Sequence, residues 1–314
     1  MTVLSNTIQN VSRVGVREDL SDKIAALFPD DTPFINSIGR SSANNTYTEW
    51  QTDTLAAANA ANAAIQGDDL ANASRANTVR VGNYTQIMTK VVGSSTTVEW
   101  TSKAGRKSEL ARELMKSGRE LQTDIEKRAV GNYASVAPLT GTAGLFGGAL
   151  AWLTTNTDKA GSDGGFSAAV VSAATNGTQR TYTESQLKGV LQKIWVAGGN
   201  PKMVITNGTQ KQNEAAFVGL ADQRRDTGDK MITIVAGADV YVSDFGRIAF
   251  VADRFASTRD ALIVDPEYFD LAVGEALTPF DLATTGLATR KALRTELTLR
   301  CLNEAASGCV RDLS

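Results

Sequence analysis

The sequence of 314 residues contains no histidine and only two cysteines, Cys301 and Cys309. The absence of histidine excludes Ser-His-Asp and Cys-His catalytic groups, the HExxH zinc motif, and the side chain that usually titrates near neutral pH. Two cysteines are too few for a structural zinc site. Cys301 alternates with Leu297 and Leu299 between polar neighbours, so we expect it to be a buried strand residue acting as a small apolar side chain. Cys309 follows Gly308, and the sequence fits either a buried or an exposed position there.

Long apolar segments and an excess of charge of one sign are also missing. The longest uninterrupted apolar runs, such as residues 248–252, are far shorter than the roughly 20 residues of a membrane helix. Lysine and arginine number 32 against 34 aspartates and glutamates, and this net charge of −2 lacks the basic footprint of a dedicated nucleic-acid-binding protein. The first residues do not match a secretory signal, so we expect the protein to stay in a reducing cytoplasm.

Glycine clusters and paired carboxylates are weak signals of catalysis in this sequence. GTAGLFGG, at residues 141–148, has no lysine after its second glycine pair, so it departs from the Walker loop and predicts a flexible turn. Asp68 and Asp69 are sequence neighbours, and side chains of neighbours diverge in a strand or a helix. Asp30 and Asp31 lie in FPDDTPF, where turn chemistry accounts for them. The sequence therefore predicts no catalytic, cofactor-binding or metal site.

The first half of the chain alternates helical and strand-like blocks. REDLSDKIAALF, residues 17–28, predicts a helix that stops at Pro29, and TPFINSIG, residues 32–39, must bury its apolar side chains against a later segment. TKVVGSSTTVEW, residues 89–100, predicts a strand. Residues 104–133 predict one long helix of roughly 45 Å with a single apolar stripe. The stripe consists of Leu110, Leu114, Leu121, Ile125 and Ala129.

The second half is predicted to be mixed helix and strand, which makes the whole chain an α+β protein. Residues 135–181 are rich in small residues and predict long loops or weak strands. Helices are predicted over 183–196 and 209–220, with a strand over 202–206 between them. The first of these helices is expected to face inward with Leu187, Val190, Leu191 and Ile194. Short strands then dominate: MITIVA, DVYVSD, RIAFVAD, ALIVD and RTELTLRCLNE.

An unusual segment lies between Thr48 and Met88. Its two ends are strand-like, but residues 56–77 offer only Ile65 and Leu70 as large apolar side chains. Ordering a residue costs about 1–2 kcal/mol of conformational entropy, and so few apolar groups cannot offset that cost. The segment is not expected to fold on its own contacts.

Five sequence segments, taken in their order along the chain, resemble the major capsid (major head) proteins of tailed bacteriophages with the HK-97-like fold. They are VREDLSDKIAALFPDDTPFINSIG, EWQTDTL, GRELQTDIE, DVYVSDFGRIAFVADRF and TELTLRCLNEAASG. The resemblance implies an N-terminal arm, an extended loop, a peripheral domain built on a long spine helix, and an axial domain. It assigns residues 1–45 to the N-terminal arm and short helix, 46–100 to the extended loop and its strands, 101–134 to the spine helix, 135–285 mainly to the axial domain with returning peripheral strands, and 286–314 to the C-terminal peripheral strand.

The resemblance also implies a structural function without catalysis or cofactors. Such proteins self-assemble into an icosahedral shell that encloses the phage genome, in the virion and, during assembly, in the host cytoplasm. Partners would be further copies in hexameric and pentameric capsomers, double-stranded DNA held weakly at the inner face, and portal, scaffolding or decoration proteins, with no membrane. The extended loop would lie over a neighbouring subunit. Candidate inter-subunit contacts are Trp50, Asp68, Asp69, Arg75 and Arg80.

Two other functions stay open at this stage. A shell of the same fold could enclose enzymes, as encapsulins do, and the sequence does not separate container types. A soluble α/β hydrolase or binding protein with a cleft beside the spine helix would need convergent polar residues with shifted pKa values. The missing histidine and the poorly self-contained loop count against that second alternative.

Overall fold

The computed structural model describes residues 31–67, 69, 75, 77–102, 107–217, 240–284 and 286–314. Two expectations, the helix over residues 17–28 and the MITIVA strand, lie outside these residues. The helices are α1 (Pro33–Ser37), α2 (Thr96–Trp100), α3 (Glu109–Val130), α4 (Ala149–Trp152), α5 (Glu184–Val196) and α6 (Gly208–Ala215). The strands are β1 (Gly39–Ser42), β2 (Tyr47–Thr52), β3 (Val79–Tyr84), β4 (Gln86–Ser95), β5 (Thr157–Asp158), β6 (Gly165–Ser167), β7 (Val170–Ser172), β8 (Met203–Thr206), β9 (Val240–Ser243), β10 (Gly246–Ala252), β11 (Ala261–Val264), β12 (Phe269–Asp281), β13 (Ala288–Cys301) and β14 (Gly308–Val310).

One of the two main sheets has four strands in the order β1-β12-β13-β4, and α3 packs against its β4 and β13 strands. The helix begins after Ser108, whose hydroxyl accepts the N–H of Ala111, and its 22 residues span about 33 Å. It is therefore shorter than the prediction over residues 104–133. The last part of the predicted stripe, Leu121, Ile125 and Ala129, is buried in the core, whereas its first two leucines are only half-buried.

The predicted strand over residues 89–100 is correct only for its first half. β4 ends at Ser95, whose side chain accepts the N–H of Val98 and starts the short helix α2. The backbone N–H of Thr96 donates to the carbonyl of Leu287, beside the end of β13. A serine cap therefore overrides the β-branched threonines and valine that favoured a strand.

The other main sheet has six strands in the order β5-β14-β11-β8-β10-β9. One face joins the core beneath α3, and the other is covered by α5, whose inward side chains Leu187, Val190, Leu191 and Ile194 are buried as predicted. β14 lies between β5 and β11, so residues 286–314 supply strands to both sheets. The division of the chain into domains stays a prediction.

Candidate functional site

The extended loop projects from an antiparallel pair, β2 and β3, which is in register from Tyr47↔Tyr84 to Thr52↔Val79. Residues 53–78 join the two strands. A fully extended chain covers at most about 3.3 Å per residue, so half of these 26 residues can reach no further than roughly 40 Å. Its large apolar side chains face solvent, because Leu55 is 98% exposed and Ile65 is 79% exposed. Leu70 lies outside the described residues. The loop therefore offers apolar groups that the subunit itself does not bury.

The base of the loop is held firmly by Trp50. Its indole N–H donates to the carbonyl oxygen of Cys301 at 2.9 Å. Its ring lies 5.4 Å from the ring of Trp152, which in turn stacks on Phe166 at 5.6 Å. Trp50 was predicted to contact a neighbouring subunit, and the structure places it half-buried among groups of its own subunit. A contact with a neighbour stays a prediction.

A buried asparagine fixes the second strand at the same place. The Asn83 side chain donates to the carbonyls of Leu299 at 2.7 Å and Gly147 at 3.2 Å, and its oxygen accepts the N–H of Gly147 at 2.9 Å. Because Asn83 is fully buried, each of these bonds compensates a group that water cannot reach. Trp50 and Asn83 together set the direction in which the loop leaves the subunit.

The charged candidates are not gathered into one group. Arg80 forms an ion pair with Glu49 across the β2–β3 pair, and both side chains are well exposed. Asp69 and Arg75 are exposed in the loop, and Asp68 lies outside the described residues. Exposed ion pairs contribute about 0–1 kcal/mol each, so Arg80 adds little to the stability of the hairpin.

A second exposed apolar surface lies on the four-stranded sheet, on the face opposite α3. Val91, Ala292 and Phe280 are direct cross-strand neighbours on β4, β13 and β12. Val91 is 53% exposed and Phe280 is 42% exposed, and Ile87 lies on the same side of β4. We call Ile87, Val91, Ala292 and Phe280 the sheet-face row. Ala292 itself is buried, and its two cross-strand neighbours Val91 and Phe280 are the exposed apolar groups on either side of it.

The residues considered for catalysis have structural roles. Cys301 is buried in β13, as expected, and Cys309 is buried in β14; burial raises the pKa of Cys309 to about 11, which keeps the thiol protonated. At Gly148 an added Cβ would lie 2.1 Å from the carbonyl oxygen of Gly131, so that glycine permits close backbone packing. Among the described residues, no group of three or more potential ligands is placed to hold a metal. No helix within the described ranges has the length and apolar character needed to cross a bilayer.

Sequence reasoning missed two buried charged residues next to β14, Arg311 and Asp312. The carboxylate of Asp312 accepts the backbone N–H groups of Ala160, Gly161 and Gly177 at 2.6–3.0 Å. Burial alone would raise the pKa of Asp312, but these hydrogen bonds and the nearby charge of Arg259 outweigh burial, so the pKa is lowered. The Arg311 guanidinium donates to the carbonyls of Leu150 and Leu153. The sequence signals these contacts of Arg311 and Asp312 only by placing two charged residues directly after the apolar GCV segment.

Sequence comparison with protein families matches almost the whole chain. The family model described as SU10 major capsid protein matches residues 3–314. A major capsid protein of Escherichia phage Phieco32 is 39% identical over 113 residues, which is 36% of this chain and 32% of that protein. The matched stretch therefore spans about a third of that relative's own length.

Solved structures with the same fold include phage capsids and a bacterial shell. The capsid subunit of cyanophage A-1(L) has a TM-score of 0.66 and 12% identity, covering 98% of this chain and 99% of that one. The encapsulin SrpI of Synechococcus elongatus has a TM-score of 0.58 and 9% identity, covering 96% and 97% of the two chains. At such low identity these likenesses establish the HK-97-like fold, and the match along the sequence shows that the chain belongs to the SU10 major capsid protein family.

Proposed function

We propose that this protein self-assembles into an icosahedral shell around a phage genome, and that the extended loop is one of its main inter-subunit contacts. The observation that carries this proposal is the contrast within the loop. Its base is fixed by Trp50 and Asn83, while Leu55 and Ile65 are exposed at 98% and 79%. A loop held rigidly at its base and left apolar beyond it is suited to bury those side chains on another copy.

The sheet-face row is the proposed receiving surface for such a contact. Its exposed side chains, Ile87, Val91 and Phe280, belong to β4 and β12, and the buried Ala292 of β13 lies between these strands in one continuous sheet. Both the projecting loop and the sheet-face row occur on every copy, and head-to-tail contacts between identical subunits close into rings when the rotation permits. Obligate interfaces bury roughly 2,000 Å² or more, so further contacts would have to add to this one.

The proposed partners are further copies in hexameric and pentameric capsomers, with a structural role and no catalysis. Packaged double-stranded DNA would be held weakly, because the net charge of −2 gives no strong attraction for phosphates. Portal, scaffolding or decoration proteins are further proposed partners. The proposed location is the virion capsid and, during assembly, the host cytoplasm.

Replacing residues 56–77 by a short Gly-Ser turn tests the role of the loop. The shortened subunit should remain soluble and folded, since this stretch adds little to its own core, but shells should fail to close. Size-exclusion chromatography with negative-stain microscopy measures assembly, and circular dichroism measures folding. An equal yield of closed shells from the shortened chain would refute the role of the loop. Unfolding of the unassembled variant would place the stretch in the subunit core instead.

An encapsulin-like shell that carries protein cargo is the second candidate, and the similarity to the SrpI encapsulin favours keeping it. The two functions differ in what the particle contains. Particles purified from the native source should contain nuclease-protected double-stranded DNA if the phage function holds. Particles that contain a stoichiometric second protein and no protected DNA would favour the cargo shell.

A further inference from the structure

A short strap, residues 31–38, docks on the spine helix through a buried carboxylate. Helix α1 lies within this strap, and Glu126 of α3 accepts the backbone N–H groups of Phe34 at 2.6 Å and Ile35 at 2.9 Å. These are N–H groups of the first helical turn, which have no partner inside a helix. The Phe34 ring also packs edge-on against Phe269 of β12 at 5.7 Å. The strap is therefore held at two places, by Glu126 of α3 and by Phe269 of the four-stranded sheet.

The surroundings of Glu126 do not neutralise it. Glu126 is fully buried. The charged residue that acts most on its carboxyl is Asp253, which carries the same sign. Asp253, after β10, is also buried, and one of its carboxylate oxygens has no hydrogen-bond donor among the described residues. Asp31, at the start of the strap, lies 3.9 Å from Arg254, and both side chains are exposed. Arg40 follows just after the strap.

This arrangement makes the protonation of Glu126 depend on whether the strap is docked. Burial, reinforced by the charge of Asp253, raises the pKa of Glu126 from 4.5 to about 7, although the hydrogen bonds from the strap oppose that rise. If the strap lifts, water reaches the carboxyl and its pKa returns towards the ordinary value. Between these two pKa values the docked state holds a proton that the open state has released.

We propose that residues 31–38 form a proton-linked latch, docked on the spine helix in acidic solution and opening more often as the pH rises to neutrality. One proton released on opening raises the opening equilibrium about tenfold per pH unit, which amounts to roughly 300-fold across the window. The effect levels off above neutral pH, where both states have lost the proton. This regulation is additional to shell assembly.

Amide hydrogen exchange on the unassembled full-length chain tests the latch. The N–H groups of Phe34 and Ile35 report strap opening directly, because each donates to Glu126 in the docked state. After correction for intrinsic exchange rates, their protection should fall about tenfold per unit between roughly pH 5 and 7 and then level off. Amides of the β12–β13 ladder, such as that of Leu299, are the internal reference and should not follow this trend. Protection of Phe34 and Ile35 that is independent of pH would overturn the proposal.

Two variants separate the titration of Glu126 from general pH effects. Glu126→Gln keeps one acceptor for the strap but cannot titrate, so the protection of Phe34 should become independent of pH. Asp253→Asn removes a nearby negative charge, so the fall in protection should move to lower pH, and this variant keeps the test valid if Glu126→Gln does not fold. An unchanged pH dependence in either folded variant would contradict the latch. Assembly is scored separately by microscopy, so failure of the latch and failure of the proposed shell function are distinguishable.

Discussion

Substitution of Trp50 gives the sharpest test of how the extended loop is held. Trp50→Ala removes the hydrogen bond to Cys301 and the ring contact with Trp152. Complete truncation of a buried tryptophan costs about 3–5 kcal/mol, and a net hydrogen bond accounts for about 0.5–1.5 kcal/mol of such a loss. Because Trp50 is only half-buried, we expect the free energy of unfolding of the subunit to fall by about 2–3 kcal/mol.

Trp100 supplies the matched control for this experiment. It lies in the short helix α2 and is 79% exposed, so Trp100→Ala should change the unfolding free energy by no more than about 0.5 kcal/mol. Urea unfolding of the unassembled subunits, followed by circular dichroism, measures both values. Equal losses in the two variants would mean that Trp50 does not anchor the loop base. The reasoning would also fail if Trp50→Ala left both stability and assembly unchanged.

Three further predictions concern the core, the linkage between subunits and the pH dependence of stability. Leu121→Ala should lower the unfolding free energy by about 2–5 kcal/mol, since Leu121 is 1% exposed. Glu120→Ala should cost far less, because the Glu120 side chain is 44% exposed. Similar melting temperatures for the two variants would show that the faces of α3 are misassigned. Some shells of the HK-97-like fold join subunits through a bond between a lysine of the extended loop and an asparagine of a neighbour. Residues 51–86 contain no lysine, and Lys90 is ion-paired with Asp124 at 2.8 Å. Subunits should therefore be joined by non-covalent contacts only. A reducing, denaturing gel of mature particles should therefore show one subunit band, and a ladder of larger bands would contradict this. Burial raises the pKa of Glu214 from 4.5 to about 8, so the folded state retains a proton that the unfolded state loses, and stability from this group should decline as the pH rises through that window. Glu214→Gln should flatten the decline in urea unfolding measured across that pH range, and an unchanged slope would count against the buried position of this carboxyl.

The sequence by itself determined the features that depend on local periodicity and composition. The inward face of α5 was predicted correctly because apolar residues at helical spacing face one side whatever the tertiary context. The burial of Cys301 followed from alternation along β13 in the same way. The exposure of Leu55 and Ile65 in the described part of the extended loop agrees with the scarcity of large apolar side chains in that segment.

Only the tertiary structure decided the features that join residues far apart in the chain. Trp50 meets the carbonyl of Cys301, and Glu126 meets the strap at Phe34, through contacts that no local pattern encodes. The helix α2 formed where β-branched residues favoured a strand, because a serine cap and a neighbouring strand end outweighed weak local propensity. The short apolar GCV segment, residues 308–310, carries no local signal of which strands it pairs with. Its place between β5 and β11 is set by hydrogen bonds to residues 157–158 and 261–263, which are far from it in the chain.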